Sequence, residues 1–265
     1  SLFDKNFIKT ELKKYSPVGI DVVIEDLKYL YIELDINAYY STNLTSSVNN
    51  VRSKIFTTLS AFSQNSDITR FGGRFKYSNF LSSIDDTDVS IKSNVTNVVI
   101  RRDLIPEFNS FFSYELCYGN SLFAPLNTSY NIKSTGFTID KYTDIVYLTD
   151  LATSSTSGTL LLFRIGLDGN PEVLESNIGT VDYITGELLI DSLNITSTSL
   201  SNGVIEVECL PQSYDVIGLR DLFLDLSVEK STVTMIKDDI SSGSDTSGVN
   251  FTSTPQYNKS GFFRT

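Results

Sequence analysis

Histidine and tryptophan are absent from this 265-residue chain, methionine occurs once, and cysteine occurs twice. Without histidine, Ser-His-Asp and Cys-His arrangements, H-E-x-x-H zinc sites and histidine general bases are excluded within the chain. Cys117 and Cys209 allow at most one bridge, and neither stands in a C-x-x-C or zinc-like spacing. They read as free, buried thiols acting as small apolar side chains. No apolar run approaches the ~18 residues of a membrane-spanning helix, so no membrane insertion is expected. A signal peptide is lacking, and a chain opening at Ser1 rather than methionine reads as a fragment or processed piece of something longer. Basic residues are scarce: 21 Lys and Arg against 32 Asp and Glu leave a net charge of −11. Nucleic-acid binding needs clustered positive charge, and the Arg101-Arg102 pair is too small to supply it.

What is present is an ordinary globular composition, 40% hydrophobic and 20% charged, long enough for one large or two modest domains. In "LFDKNFIKTELKKYSP", Phe7 or Ile8, Leu12 and Tyr15 recur near helical spacing, and Pro17 follows. This predicts an amphipathic helix over about 2 to 14, with Lys13 and Lys14 suiting the dipole of its last turn. "KYLYIELDINAYY" alternates strictly, with Leu30, Ile32, Leu34, Ile36 and Ala38 on one face, and predicts a strand over 29–40. Val48, Val51, Ile55, Leu59 and Phe62 then predict a helix, capped by Thr45 or Ser46. Gly72-Gly73 turns the chain, Ser78 is placed to cap a short helix carrying Phe80, Leu81 and Ile84, and residues 88–102 are β-rich.

After Pro106 come β-rich runs separated by turn signals, among them Asp168-Gly169-Asn170 and Thr185-Gly186. The expected fold class is therefore α+β. A small α/β layer over residues 1–106 precedes an antiparallel β-sandwich or barrel-like domain over 107–238, and an extended or disordered tail occupies 239–265. The tail carries Phe262 and Phe263 as anchors for a partner surface.

No chemistry stands out. Gly72-Gly73 lacks a phosphate-binding context, and Asp85, Asp86 and Asp88 lack the spacing and distal glutamate of a calcium loop. Those acids read as capping a helix-to-strand turn. Paired carboxylates such as Asp238-Asp239 or Asp221 and Asp225 are common on acidic surfaces, and nothing sets their separation. Six Asn-x-Ser/Thr sequons follow from a chain rich in those residues. The expectation is no enzyme, no metal and no cofactor.

The ordered set "LKKYSPVGIDVVIEDLKYLYIELDINAYY", a helix, and "FGGRFKYSNFLSSIDDTDVSIKSNVTNVVIRR" resembles the C-terminal part of the baseplate wedge protein of T-even-type contractile phages. That family is the gene product six member of the J-like baseplate group. "SYELCYGNSL" and "GTVDYITGELLIDSLNI" fit it more loosely. The resemblance implies a virion structural protein of the tail baseplate, assembled in the host cytoplasm. It would form a homodimer and bind other wedge proteins in the ring around the tail hub.

An acidic chain that self-associates needs contact surfaces that are apolar or mixed in charge. The candidate interface residues are Phe71, Phe75, Tyr77, Arg101, Arg102, Phe262 and Phe263. On this reading, replacing Arg101 and Arg102 by Glu leaves folding intact and weakens self-association. The alternative from another class is a carbohydrate-binding or adhesin module, suggested by the Asn/Ser/Thr-rich β region and its tyrosines. Glycan binding separates it from the structural reading.

Overall fold

A computed structural model describes residues 2–17, 19–24, 27–45, 47–126 and 129–238. The expected tail at 239–265, with Phe262 and Phe263, lies outside the described residues. The chain opens with α1 (Leu2–Lys13), which has Asp4 in its first turn and Lys13 in its last. Then come β1 (Lys28–Tyr40), α2 (Val48–Ser63), β2 (Arg74–Phe75), α3 (Tyr77–Asp85) and β3 (Ile91–Leu104). β1 and β3 pair antiparallel, with Ile32 opposite Ile100 and Leu34 opposite Val98. Strand alternation sends Leu30, Ile32, Leu34, Ile36 and Ala38 to one face, where all five are buried. They share a core with Val51, Ile55 and Leu59 of α2 and with Phe80 and Ile84 of α3.

Both helix caps differ from the sequence expectation. Ser47 caps α2, its hydroxyl accepting from the Asn50 amide, while Thr45 Oγ1 accepts from the Ser47 amide one turn earlier. The other expected cap, Ser46, lies outside the described residues. Ser78 does not cap α3; the Asp215 carboxylate, far along the chain, accepts from the Tyr77 amide at 2.8 Å. A remote acid at a helix N-terminus satisfies an orphan N–H and suits the dipole, but leaves no local sequence signal.

β4 (Phe111–Cys117), β5 (Lys133–Ser134), β6 (Phe137–Ile139), β7 (Tyr142–Ala152), β8 (Ser157–Ile165), β9 (Pro171–Asp182) and β10 (Glu187–Thr198) follow. The turns containing Gly169 and Gly186 join β8 to β9 and β9 to β10. β10 pairs with β4 along one edge, and with β9 and then β6 along the other. The ring β10, β6, β7, β8, β9 therefore closes on itself as a barrel, which leaves no open edge within the ring. Asp150 of β7 is buried and accepts from the amides of Asn131 and Ile132 and from the Tyr183 hydroxyl at 2.6 Å. It ties the segment before β5 and the start of the β9–β10 turn to the barrel wall.

The last strands, β11 (Ile205–Cys209), β12 (Val216–Ile217), β13 (Leu222–Leu226) and β14 (Thr232–Lys237), leave the barrel. β11 pairs antiparallel with β3, and β13 and β14 pair parallel with successive halves of β1. The first sheet is an open half-barrel that draws strands from both sides of residue 106. Between β13 and β14 the ladder is interrupted, and the Ser231 hydroxyl accepts from the Leu34 amide that would otherwise lack a partner. Strand accounts for 46% of residues and helix for 15%, so the protein is mostly β, with a barrel and a half-barrel in place of the sandwich that the sequence also allowed. Cys209 is buried and Cys117 partly so, and both are free thiols.

An Ile36→Asp substitution would bury an unpaired charge in the core of β1 and is expected to cost several kcal/mol. An unchanged urea midpoint would contradict this facing of the strand. Asp88, just before β3, accepts from Lys54 Nζ at 2.6 Å and from the amide and hydroxyl of Ser90. These donors, the Lys54 ammonium foremost, lower its carboxyl from 3.8 to about 2. Because the folded value lies below the unfolded one, the contribution is present above 3.8 and is lost as the pH falls towards 2. Asp88→Asn is expected to cost roughly 1 kcal/mol near neutral pH, modest because Lys54 is half-exposed. Urea midpoints of the two proteins should converge at the acid end.

Candidate assembly surface

Residues 69–104 form a joint inside the subunit. Gly72 adopts φ 66°, a left-handed conformation that favours glycine, and a Cβ on Gly73 would lie 2.2 Å from the Ile68 carbonyl oxygen. The tight turn lets the Gly72 amide donate to the Leu219 carbonyl and the Gly218 amide donate to the Gly73 carbonyl at 2.8 Å. β2 then pairs with β12, Phe75 opposite Val216. The segment 72–75 is stapled to 216–219, and through it the half-barrel edge is fixed to the helices.

Phe75 is buried, its ring 6.0 Å from Phe62 and 5.6 Å from Phe80. It is a core residue, so the expectation that it faces a partner does not fit its position. Tyr77 is half-buried; its hydroxyl donates to the Thr96 carbonyl, and its ring lies 5.0 Å from Tyr214. Phe71 is 62% exposed. It meets Phe223 at 5.9 Å, Phe223 meets Tyr29 at 5.9 Å, and Tyr29 stacks on Tyr31 at 5.8 Å. The result is a continuous aromatic row on the sheet face opposite the helices. Of this row the sequence singled out Phe71 alone; Tyr29, Tyr31 and Phe223 converge only because β13 pairs with β1.

Arg101 stands at the end of that row with its guanidinium 4.1 Å from the centre of the Tyr31 ring. It is 5% exposed. Nε lies 2.7 Å from Glu33, Nη1 lies 2.9 Å from Glu206, and Asp103 also contacts Nη1. Lys230 adds a second cation on Glu206. Burial raises the Asp103 carboxyl above its ordinary value, with Arg101 pulling it back. Arg102 is partly buried, and its Nη1 donates to the Tyr29 carbonyl at 2.6 Å. Neither arginine is a solvated basic patch. The expectation that their reversal to Glu leaves folding intact is therefore corrected: Glu at 101 would place another carboxylate among three.

Asp85 accepts from Asn94 Nδ2 at 2.8 Å, and Asp88 is held by Lys54 and Ser90. Among the described residues no group of three or more Cys, Asp or Glu side chains is disposed to hold a metal ion. The apolar residues Phe7, Ile8, Leu12 and Tyr15 on and after α1, with Ile20, Val23 and Leu27 beyond it, are exposed.

Removing Arg101, as Arg101→Glu or Arg101→Met, is expected to cost about 3–5 kcal/mol, because it leaves buried carboxylates without their cation. Urea denaturation measures this. Parent-like midpoints for both variants would mean that the carboxylates are not held by Arg101.

No curated protein matches the chain. A family model for the baseplate structural protein gp6, C-terminal domain III, matches residues 28–103, from the first residue of β1 to the last but one of β3. The matched segment holds β1, α2, the glycine joint, α3 and β3, together with Arg101 and Phe71. Over residues 28–103 the chain is thus similar to a domain of a phage baseplate structural protein.

Proposed function

We propose that the chain is a wedge component of a contractile phage tail baseplate. It associates with a second copy of itself and with other wedge proteins in the ring around the tail hub, after assembly in the host cytoplasm. The family match over residues 28–103, from β1 to β3 of the half-barrel, is the observation that carries this reading. A structural role accounts for a fold whose polar clusters serve packing: the ion pairs at Arg101 and the glycine joint hold strands in place, and neither surrounds a reaction site.

The segment ahead of β1 supports self-association. Its apolar residues are exposed over two turns of α1 and the stretch that follows, more than scattered surface residues require. Lys5, Lys9, Lys13 and Lys14 against Asp4 and Glu11 give residues 2–15 a charge of 4 − 2 = +2, whereas the whole chain carries −11. A locally basic, apolar helix can approach the acidic body of a second copy without the repulsion that two such bodies would meet.

Sedimentation equilibrium tests the proposal. The parent should dimerise, and a Phe7→Ser, Leu12→Ser double variant should weaken the dimer by about a hundredfold, since each apolar side chain contributes about 1.5–3 kcal/mol when buried. A parent that stays monomeric at high concentration would overturn the homodimer, and an unchanged constant in the variant would remove α1 from its interface.

A further inference from the structure

We propose that the outer edge of β13, with the aromatic row beside it, takes an extended basic segment of another protein by strand addition. This rests on the assembly reading above and names what such a partner presents. Leu222–Leu226 pair in register with Lys28–Ile32 of β1, and β13 pairs with no other strand among the described residues. An edge strand offers its remaining N–H and C=O groups to an incoming strand.

Alternation along β13 divides the roles. Leu222, Leu224 and Leu226 are buried against the core, which fixes the register of the edge. Phe223 and Asp225 point to the opposite face. Phe223 is the centre of the row that runs from Phe71 through Tyr29 to Tyr31. Near Asp225 the sheet face carries Glu33, Asp103 and Glu206 against the cations Arg101 and Lys230. The count there is 2 − 4 = −2. Burial raises the Asp225 carboxyl above its ordinary value, and Arg101 opposes the shift. Lys28 and Arg220 stand at the other end of the strand.

An incoming strand therefore meets an aromatic surface at one position and excess negative charge two residues on, along the same face. An apolar residue followed at i+2 by Lys or Arg fits both. A second copy of this chain fits poorly, because β13 added to β13 would bring two such carboxylate clusters together.

The probe is a fluorescent eight-residue peptide in which threonine alternates with two valines and then two lysines. Controls replace both lysines by glutamate, or a central threonine by proline, which cannot complete a ladder. Anisotropy should show binding of the lysine peptide, with slower hydrogen exchange at the amides of Leu222–Leu226. Both control peptides, and the protein variants Phe71→Ser and Asp225→Lys, should bind at least about tenfold more weakly. Asp191→Lys makes the same charge change at an exposed position of β10 and should leave the affinity within about twofold. Absence of binding, parent-like binding by Phe71→Ser and Asp225→Lys, or an equal loss in Asp191→Lys would each overturn the inference. Sedimentation of the same samples separates the two readings. A dimer that persists without peptide binding leaves the assembly role standing, and a dimer that the peptide dissociates would assign the edge to a second copy.

Discussion

β1 is the strand on which the half-barrel depends. One of its edges carries β3, and the other carries β13 and then β14, so both rows of its backbone groups are used. One face carries the apolar residues that α2 and α3 cover, and the other carries Tyr29, Tyr31 and Glu33. A shift of register by one residue would exchange these faces, moving Ile32 and Ile36 from the core into a bed of carboxylates. The apolar alternation and the ion pairs thus exclude the same error from opposite sides.

Arg101 is the polar counterpart of that constraint. A buried guanidinium among carboxylates adds little net stability compared with a well-packed apolar group, but leaving any member alone is costly. Its partners come from β1, β3 and β11, with Lys230 approaching from between β13 and β14. The network accepts only an arrangement in which all of these strands are in place. Asp150 plays a similar part in the barrel, where two amides and the Tyr183 hydroxyl converge on it. Burial and the neighbouring carboxylate push the Tyr183 hydroxyl well above its usual value, so it remains a donor.

Local pattern made the elements legible. The alternation of β1, the helical spacing of Val51, Ile55 and Leu59, and the turns at Gly169 and Gly186 all follow from residues within a few positions of one another. The remote features did not show in the sequence. Asp215 caps α3 across 138 positions, Arg101 reaches Glu206 across 105, and Phe223 joins Tyr29 only through a parallel pairing. The composition of residues 205–237 matches that of the barrel strands before them, so nothing local marks their return to the first sheet. The arginine pair illustrates the same limit: beside a solvent-facing loop and beside Glu33 it reads identically.

The interruption at Ser227–Ser231 bears on the order in which the protein acquires its structure. β1 leaves the ribosome long before the strands that complete its second edge, and Leu34 waits for a hydroxyl 197 positions away. Until Leu222 onward has been synthesised, one flank of the half-barrel remains an open parallel template next to an apolar core. Parallel, long-range pairing forms slowly and exposes such flanks to misassociation. The barrel between Phe111 and Thr198 pairs within itself and can close in the meantime. Maturation would then run from the middle of the chain outward, with the half-barrel built on β1 sealed last by the final described strands.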